Sequence, residues 1–153
     1  MTRQKATDRI DLGLENDYPY RGSLRKPKEG WLQKSNGRYG ERMQLVVEWD
    51  IARKDGFLIR DWVGLTLSPT AAGVKSKLHR LLNALAEQSP DAEPWWDSDT
   101  LEWGYDPTDG SPAYAQLTEG LVVIFKGEKG KNDKGQSIYR ITSYKSPARV
   151  KNQ

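Results

Sequence analysis

The chain has no cysteine, which excludes a disulfide framework and a thiolate nucleophile. Its single histidine, His79, leaves little from which to build a zinc site or a histidine-activated nucleophile. No apolar run approaches the roughly 18 residues of a membrane-spanning helix. Met1 to Asp11 lacks the apolar centre of a secretory signal. No glycine motif of the phosphate-binding kind stands ahead of a helix. Together these absences argue against an enzyme and against a cofactor, and they lead us to expect a cytoplasmic protein with no membrane partner. What is present is 153 residues, 29% charged and 36% hydrophobic, enough for one domain around a modest core.

Charge is unevenly spread. Residues 1–86 carry sixteen Lys/Arg against ten Asp/Glu; residues 87–110 carry eight Asp/Glu and no Lys or Arg; residues 111–153 carry eight against three. A basic body is thus interrupted by one acidic insert, and a basic body favours a polyanionic partner.

The most informative stretch is Arg42 to Leu67. Met43, Leu45, Val47 and Trp49 alternate with Gln44 and Glu48, the period of a half-buried strand. Ala52 to Gly56 ends in Asp-Gly, a strong hairpin signal. Phe57 to Leu67 reads as the return strand, with Leu58-Ile59 out of phase and a bulge or coil expected near Arg60-Asp61. A hairpin of this length with one apolar face tends to curl into a small barrel.

Around it, residues 1–17 read as a flexible or loosely docked arm. Tyr18 to Lys28 reads as a first strand, in which Gly22 marks a bend or a close backbone approach. Lys28 to Gly40 is a loop rich in glycine, basic residues and rings; it either wraps a strand of nucleic acid or tucks Trp31 onto the barrel. Ser68-Pro69 has the form of a helix start, and Val74, Leu78, Leu81, Leu82 and Leu85 mark one apolar helix face. His79, between Lys77 and Arg80, falls on the solvated side. Leu121 to Lys126 reads as a buried strand, followed by a glycine-spaced basic loop at 127–136 and a last strand over Ser137 to Lys145. Residues 148–153 form a short basic tail.

The acidic insert holds Trp95, Trp96, Trp103 and Tyr105. It either lies over the basic groove as a mimic of nucleic acid, recruits a partner, or packs its rings on the barrel wall. Asp97, Asp99 and Glu102 have a spacing that can hold a divalent cation, but they lack the glycines of a calcium loop.

The element order is strand, hairpin, helix, hairpin. This is the order of an OB-fold, so the expected architecture is mainly β: one five-stranded OB barrel over 18–147, with the helix between strands three and four. In that fold oligonucleotides lie on strands two and three and on the loops joining strands one-two and four-five. The YPYRGSL opening, the strands MQLVVEWDI and IRDWVGLTL, the helix SPTAAGVKSKLHRLLNAL and the closing LVVIFKGEKGKNDKGQSIYRITSYKSP hairpin together resemble the small single-stranded-DNA-binding proteins encoded by bacteriophages. The resemblance implies coating of single-stranded DNA, favoured over RNA, during phage replication or recombination in the host cytoplasm. Bacterial single-strand binders usually end in an acidic, partner-recruiting tail; this chain ends in basic residues, and segment 87–110 is the candidate contact for a replication or recombination protein. Self-association into a homo-oligomer is left open.

Rings stack on bases with little sequence preference, and cations neutralise phosphates. Trp31, Tyr39, Trp62 and Tyr144 are the stacking candidates. Arg38, Arg42, Arg60, Lys129, Lys131, Lys134 and Arg140 are the phosphate candidates. The rival expectation is an OB module that binds a protein, a phage factor acting on a host or replisome component, because one fold hosts many functions.

Overall fold

The computed structural model describes residues 14–37, 40–51, 58–67, 75–106, 113–131 and 133–147. The protein is mainly β, with strands β1 (Tyr20–Arg25), β2 (Leu32–Gly37), β3 (Gly40–Ile51) and β4 (Leu58–Val63), then helix α1 (Lys77–Leu85). Five more strands follow: β5 (Pro94–Asp97), β6 (Glu102–Tyr105), β7 (Ala113–Gln116), β8 (Val122–Lys131) and β9 (Ser137–Lys145). No helix among the described residues is long and apolar enough to cross a membrane.

Among the described residues, nine strands in two antiparallel sheets replace the expected five. The large sheet runs β2-β3-β1-β8-β9, with β4 on the far edge of β3. β3 is long enough to hold β1 and β2 in succession along one edge, at Glu48–Ile51 and Gly40–Leu45 respectively. The strand β2 therefore lies where a continuous loop was expected. Among the described residues β4 and β9 share no backbone ladder, so the sheet curls without closing.

Side chains span that seam. Tyr144 on β9 donates to Asp61 Oδ2 on β4 at 2.6 Å and accepts from Trp49 Nε1 at 3.0 Å. Lys77 at the start of α1 donates to Asp61 Oδ1 at 2.8 Å. This explains the broken apolar phase in the sequence. Ile59, Asp61 and Val63 all point inward on an unbroken β4, and Asp61 is the polar member of the inward set. No bulge occurs at Arg60-Asp61; the irregularity lies instead between Lys126 and Gly127.

The interior is an aromatic column. Trp49 and Phe125 lie 6.4 Å apart, Trp49 and Tyr144 5.6 Å, and Tyr20 sits 6.0 Å from Phe125 and 6.2 Å from Tyr139. A Cβ on Gly22 would approach the Phe125 ring to 2.7 Å, so mid-strand glycine is the close approach that lets the column pass β1. Residues 14–17, expected to belong to a flexible or loosely docked arm, are docked. Leu14 is buried in the core, Asp17 N donates to Gly127 O, and Asn16 Oδ1 accepts from Lys129 N.

The helix is capped by Ser76, whose hydroxyl accepts from His79 N; the expected start at Ser68-Pro69 lies outside the described residues. Leu78, Leu81, Leu82 and Leu85 are buried as the spacing requires. His79 is a correction. It is 3% exposed rather than solvated, because the acidic insert covers that side of the helix. Its Nε2 meets Ala92 O at 2.8 Å, and Asn83 Nδ2 donates to the same carbonyl at 3.0 Å.

The insert supplies β5 and β6 of the small sheet, and β7, which follows it, completes that sheet. Trp103 is fully buried, Trp96 packs 6.3 Å from it, and Tyr105 donates to Asn83 Oδ1 at 2.9 Å. Its rings are thus core, while Trp95 is exposed on the opposite face of β5.

Candidate nucleic-acid interface

Alternation along β3 and β4 fixes which side chains stand outward. Arg42, Gln44, Val46, Glu48 and Asp50 of β3 share a face with Leu58, Arg60 and Trp62 of β4. Across the ladder Val46 opposes Trp62, Glu48 opposes Arg60, and Asp50 opposes Leu58. Arg42, Arg60 and Trp62 therefore lie on one wall, as the sequence pattern requires. Trp62 is 38% exposed beside the fully buried Val46. A ring held on a rigid strand with an open face can stack on a base.

Two of the arginines at this wall are already paired. Arg60 donates to Glu48 Oε2 from Nε at 3.0 Å and from Nη2 at 2.8 Å, and Glu29 Oε2 lies 3.6 Å from Nη2. Arg25, at the end of β1, is held by Asp50 at 3.2 Å. Arg42 is exposed and has no ion pair among the described residues. Gln44 points outward but is buried, and its amide oxygen accepts from Ser35 at 2.6 Å.

Two hairpins flank the wall. The distal part of β2–β3 is exposed on both faces from Gly40 to Met43, so it projects as a two-stranded ribbon. That placement exposes Met43, which sequence alternation had assigned to the apolar face. Arg38 and Tyr39, at the tip, lie outside the described residues. On the β8–β9 hairpin Lys129, Lys131 and Lys134 are exposed, with Gly135 in the left-handed region at the turn. Arg140 stands outward opposite Glu128 on the β8–β9 face, around the sheet from Trp62.

Two stacking candidates are corrected. Trp31 is 8% exposed and belongs to the core cluster; its carbonyl accepts from Val46 N at 2.7 Å, anchoring the chain between β1 and β2. Tyr144 is 7% exposed, and its hydroxyl is used by Asp61 and Trp49. Burial pushes its phenol well above the ordinary value, and the Asp61 carboxylate adds to the rise. Neither ring has a face to offer a base. An exposed ring that the sequence reading did not single out is Tyr18, ahead of β1, with its ring 4.9 Å from Tyr20. The doubled tyrosine of YPY was its signal. Also missed were the carboxylates of Glu29, Glu48 and Asp50.

The carboxylates once considered for a cation are otherwise engaged or dispersed. Asp97 Oδ1 accepts from the backbone of Asp99 and Thr100, closing the β5–β6 turn. No group of three or more histidines or carboxylates that could hold a metal occurs among the described residues. A cleft of about 480 Å³ lies away from the wall, where Leu85 and Glu87 at the end of α1 face Leu121, Val122, Arg21 and Pro147. No protein-family model, no curated protein and no solved structure matches this chain.

Proposed function

We propose that this protein binds single-stranded nucleic acid, DNA in preference to RNA, along the outer face of β3 and β4, and that it coats single strands during phage replication or recombination. The observation that carries this reading is Trp62, an open ring on a wall that also carries Arg42 and Arg60, set between two projecting hairpins. The element order supports it. Setting aside the small sheet β5-β6-β7 that follows the helix, strand, hairpin, helix, hairpin is the order of a partly open OB barrel, with the first strand supplied by β1 and β2 in succession. Stacking on Trp62 supplies affinity that is indifferent to sequence, and Arg42 with the β8–β9 lysines supplies the salt-dependent part.

The test is a fluorescence titration with oligo-dT, oligo-rU and duplex competitors at several salt concentrations. Wild-type protein is expected to prefer oligo-dT. Trp62→Ala is expected to weaken it by about 1–3 kcal/mol, the value of one stacked base, with an unchanged circular-dichroism melt. Unchanged affinity would remove the wall from the site.

A second reading has its own observation. Arg25 and Arg60 are already neutralised by Asp50, Glu48 and Glu29, as expected of a charge-balanced surface that meets another protein. Binding to none of the nucleic acids would select this reading.

A further inference from the structure

A second group of cations without ion pairs among the described residues lies on a different wall of the same sheet. Besides Arg25, which Asp50 holds, outward positions on β1, β8 and β9 carry Arg21, Lys126, Arg140 and Lys145. Their inward neighbours Tyr20, Val123, Phe125, Tyr139, Ile141 and Tyr144 are buried, so the alternation that fills the core turns these cations to solvent. None of the four forms an ion pair among the described residues. The ladders place them together. Arg21 pairs with Ile124, and Ile124 pairs with Lys145, which puts the two cations on either side of one apolar residue. Lys126 is two positions along β8 on the same face. Arg140 follows at the far end of that face, opposite Glu128, the one carboxylate among these outward positions of the described β8–β9 ladder.

The composition of this wall says what it fits. Apart from the paired Arg25, it presents four cations, the carboxylate of Glu128, the partly exposed Val122, Ile124 and Ile138, and short neutral side chains such as Ser23, Thr142 and Ser143; no ring stands outward, and Glu87 lines the cleft beside Arg21. Such a surface neutralises phosphates and reads no bases. The β3–β4 wall is the converse, with a stacking ring and arginines that are mostly paired. We propose that the outer face of β1, β8 and β9 binds the phosphodiester backbone of a single strand whose bases are engaged at Trp62, so that the strand continues around the sheet from one wall to the other. This inference rests on the proposed function, and it assigns the electrostatic share of binding to residues outside the expected OB face.

The experiment compares wild-type protein with the triple variant Lys126→Gln, Arg140→Gln, Lys145→Gln, using a short oligo-dT that reaches only Trp62 and a long one that reaches both walls. Each lost phosphate contact lowers the slope of log K against log salt by about 0.7. The triple variant is therefore expected to lower the slope by about 2 for the long oligonucleotide and to leave the short one unchanged. Glu128→Gln is expected to do the reverse and tighten the long complex, which guards against misreading an unfolded triple variant. An unchanged slope and affinity in both variants would overturn the inference while leaving the Trp62 site standing. Wild-type protein that bound no oligonucleotide of either length would overturn the proposed function, and this inference with it. Equal weakening of Trp62→Ala on both lengths, together with a slope loss confined to the long one, is the result expected of a continuous strand path.

Discussion

Arg60 and Lys126 both stand outward on strands of one curled sheet, yet their surroundings differ. Arg60 lies across from Glu48, which holds two of its donors, with Glu29 near by. Lys126 lies across from Ser143 and has no carboxylate within ion-pair distance among the described residues. The cross-strand neighbour, set by register, decides whether a cation is available to a ligand. Counting basic residues in a sequence does not. One wall has the ring and mostly paired arginines; the other has cations that form no ion pair among the described residues, and no ring. Whatever breaks the sheet they share should affect both, and whatever alters one pairing should affect one.

The largest expected effect is on the shared interior. Burial pushes the phenols of Tyr105 and Tyr139 up to about 12; for Tyr139 the neighbouring Tyr20 adds to the rise. Tyr144 is raised well above its ordinary value by burial and by Asp61. A folded-state pKa above the unfolded one means that the folded protein keeps its proton while the unfolded chain loses it. Stability from these groups is therefore complete below pH 10 and falls as pH rises from 10 through 12. By pH 12 the loss is at most about 2 kcal/mol for Tyr105 and smaller for Tyr139, whose hydroxyl is only part-buried. Chemical denaturation followed at pH 9, 10.5 and 12 should show a midpoint falling only above pH 10. A midpoint already falling between pH 7 and 9 would contradict the assignment.

Next in size is the seam. Asp61→Ala removes the acceptor for Tyr144 and the partner of Lys77 at the place where β4 and β9 meet without a ladder. A buried donor stripped of its acceptor costs about 1–3 kcal/mol. The expected outcome is a loss of about 3 kcal/mol, because the ion pair to Lys77 is lost as well. Thermal melts of Asp61→Ala and Asp61→Asn would check it. Asn retains an acceptor for Tyr144, so it should lie between wild type and Ala.

Much of this was legible in the chain. The alternation of Leu45, Val47 and Trp49, the close approach at Gly22, the leucine face of α1 and the late basic hairpin all follow from periodicity. Glu48 opposite Arg60 was legible too. A turn centred on residue 54 pairs positions whose numbers add to 108, which joins 48 with 60 and 50 with 58. What periodicity could not supply was tertiary context. Asp61 interrupts an inward apolar phase because its partner is Tyr144, more than eighty residues away in sequence. His79 and Asn83 sit on the polar side of an amphipathic helix, and only the later strands β5 and β6 bury them. Trp31 looked like a loop ring because nothing local indicated that β3 would extend far enough to bring β2 alongside it. The three tryptophans of the insert divided by strand parity, Trp96 and Trp103 inward and Trp95 outward. That division could not be drawn until the segment was known to be strand.

The smallest expected effect is the most direct probe of the two-wall contrast. Glu48 is largely buried at the side chain, and the Arg60 fork is bound to one of its oxygens. Glu48→Gln keeps shape and one hydrogen-bond acceptor but removes the charge that competes with a phosphate for Arg60. The stability cost should stay within about 1 kcal/mol, since a half-exposed ion pair contributes little net. Affinity for oligo-dT should rise, and the salt slope should steepen by about 0.7, one additional phosphate contact. The matching change on the other wall, Glu128→Gln, frees Arg140 from a neighbour that does not grip it, so its own effect should be smaller still. If Glu48→Gln weakened binding instead, the carboxylate would be orienting the guanidinium for the ligand rather than occupying it. The paired arginines of β3–β4 would then be a preorganised part of the site, and the difference between the walls would be one of rigidity rather than of available charge.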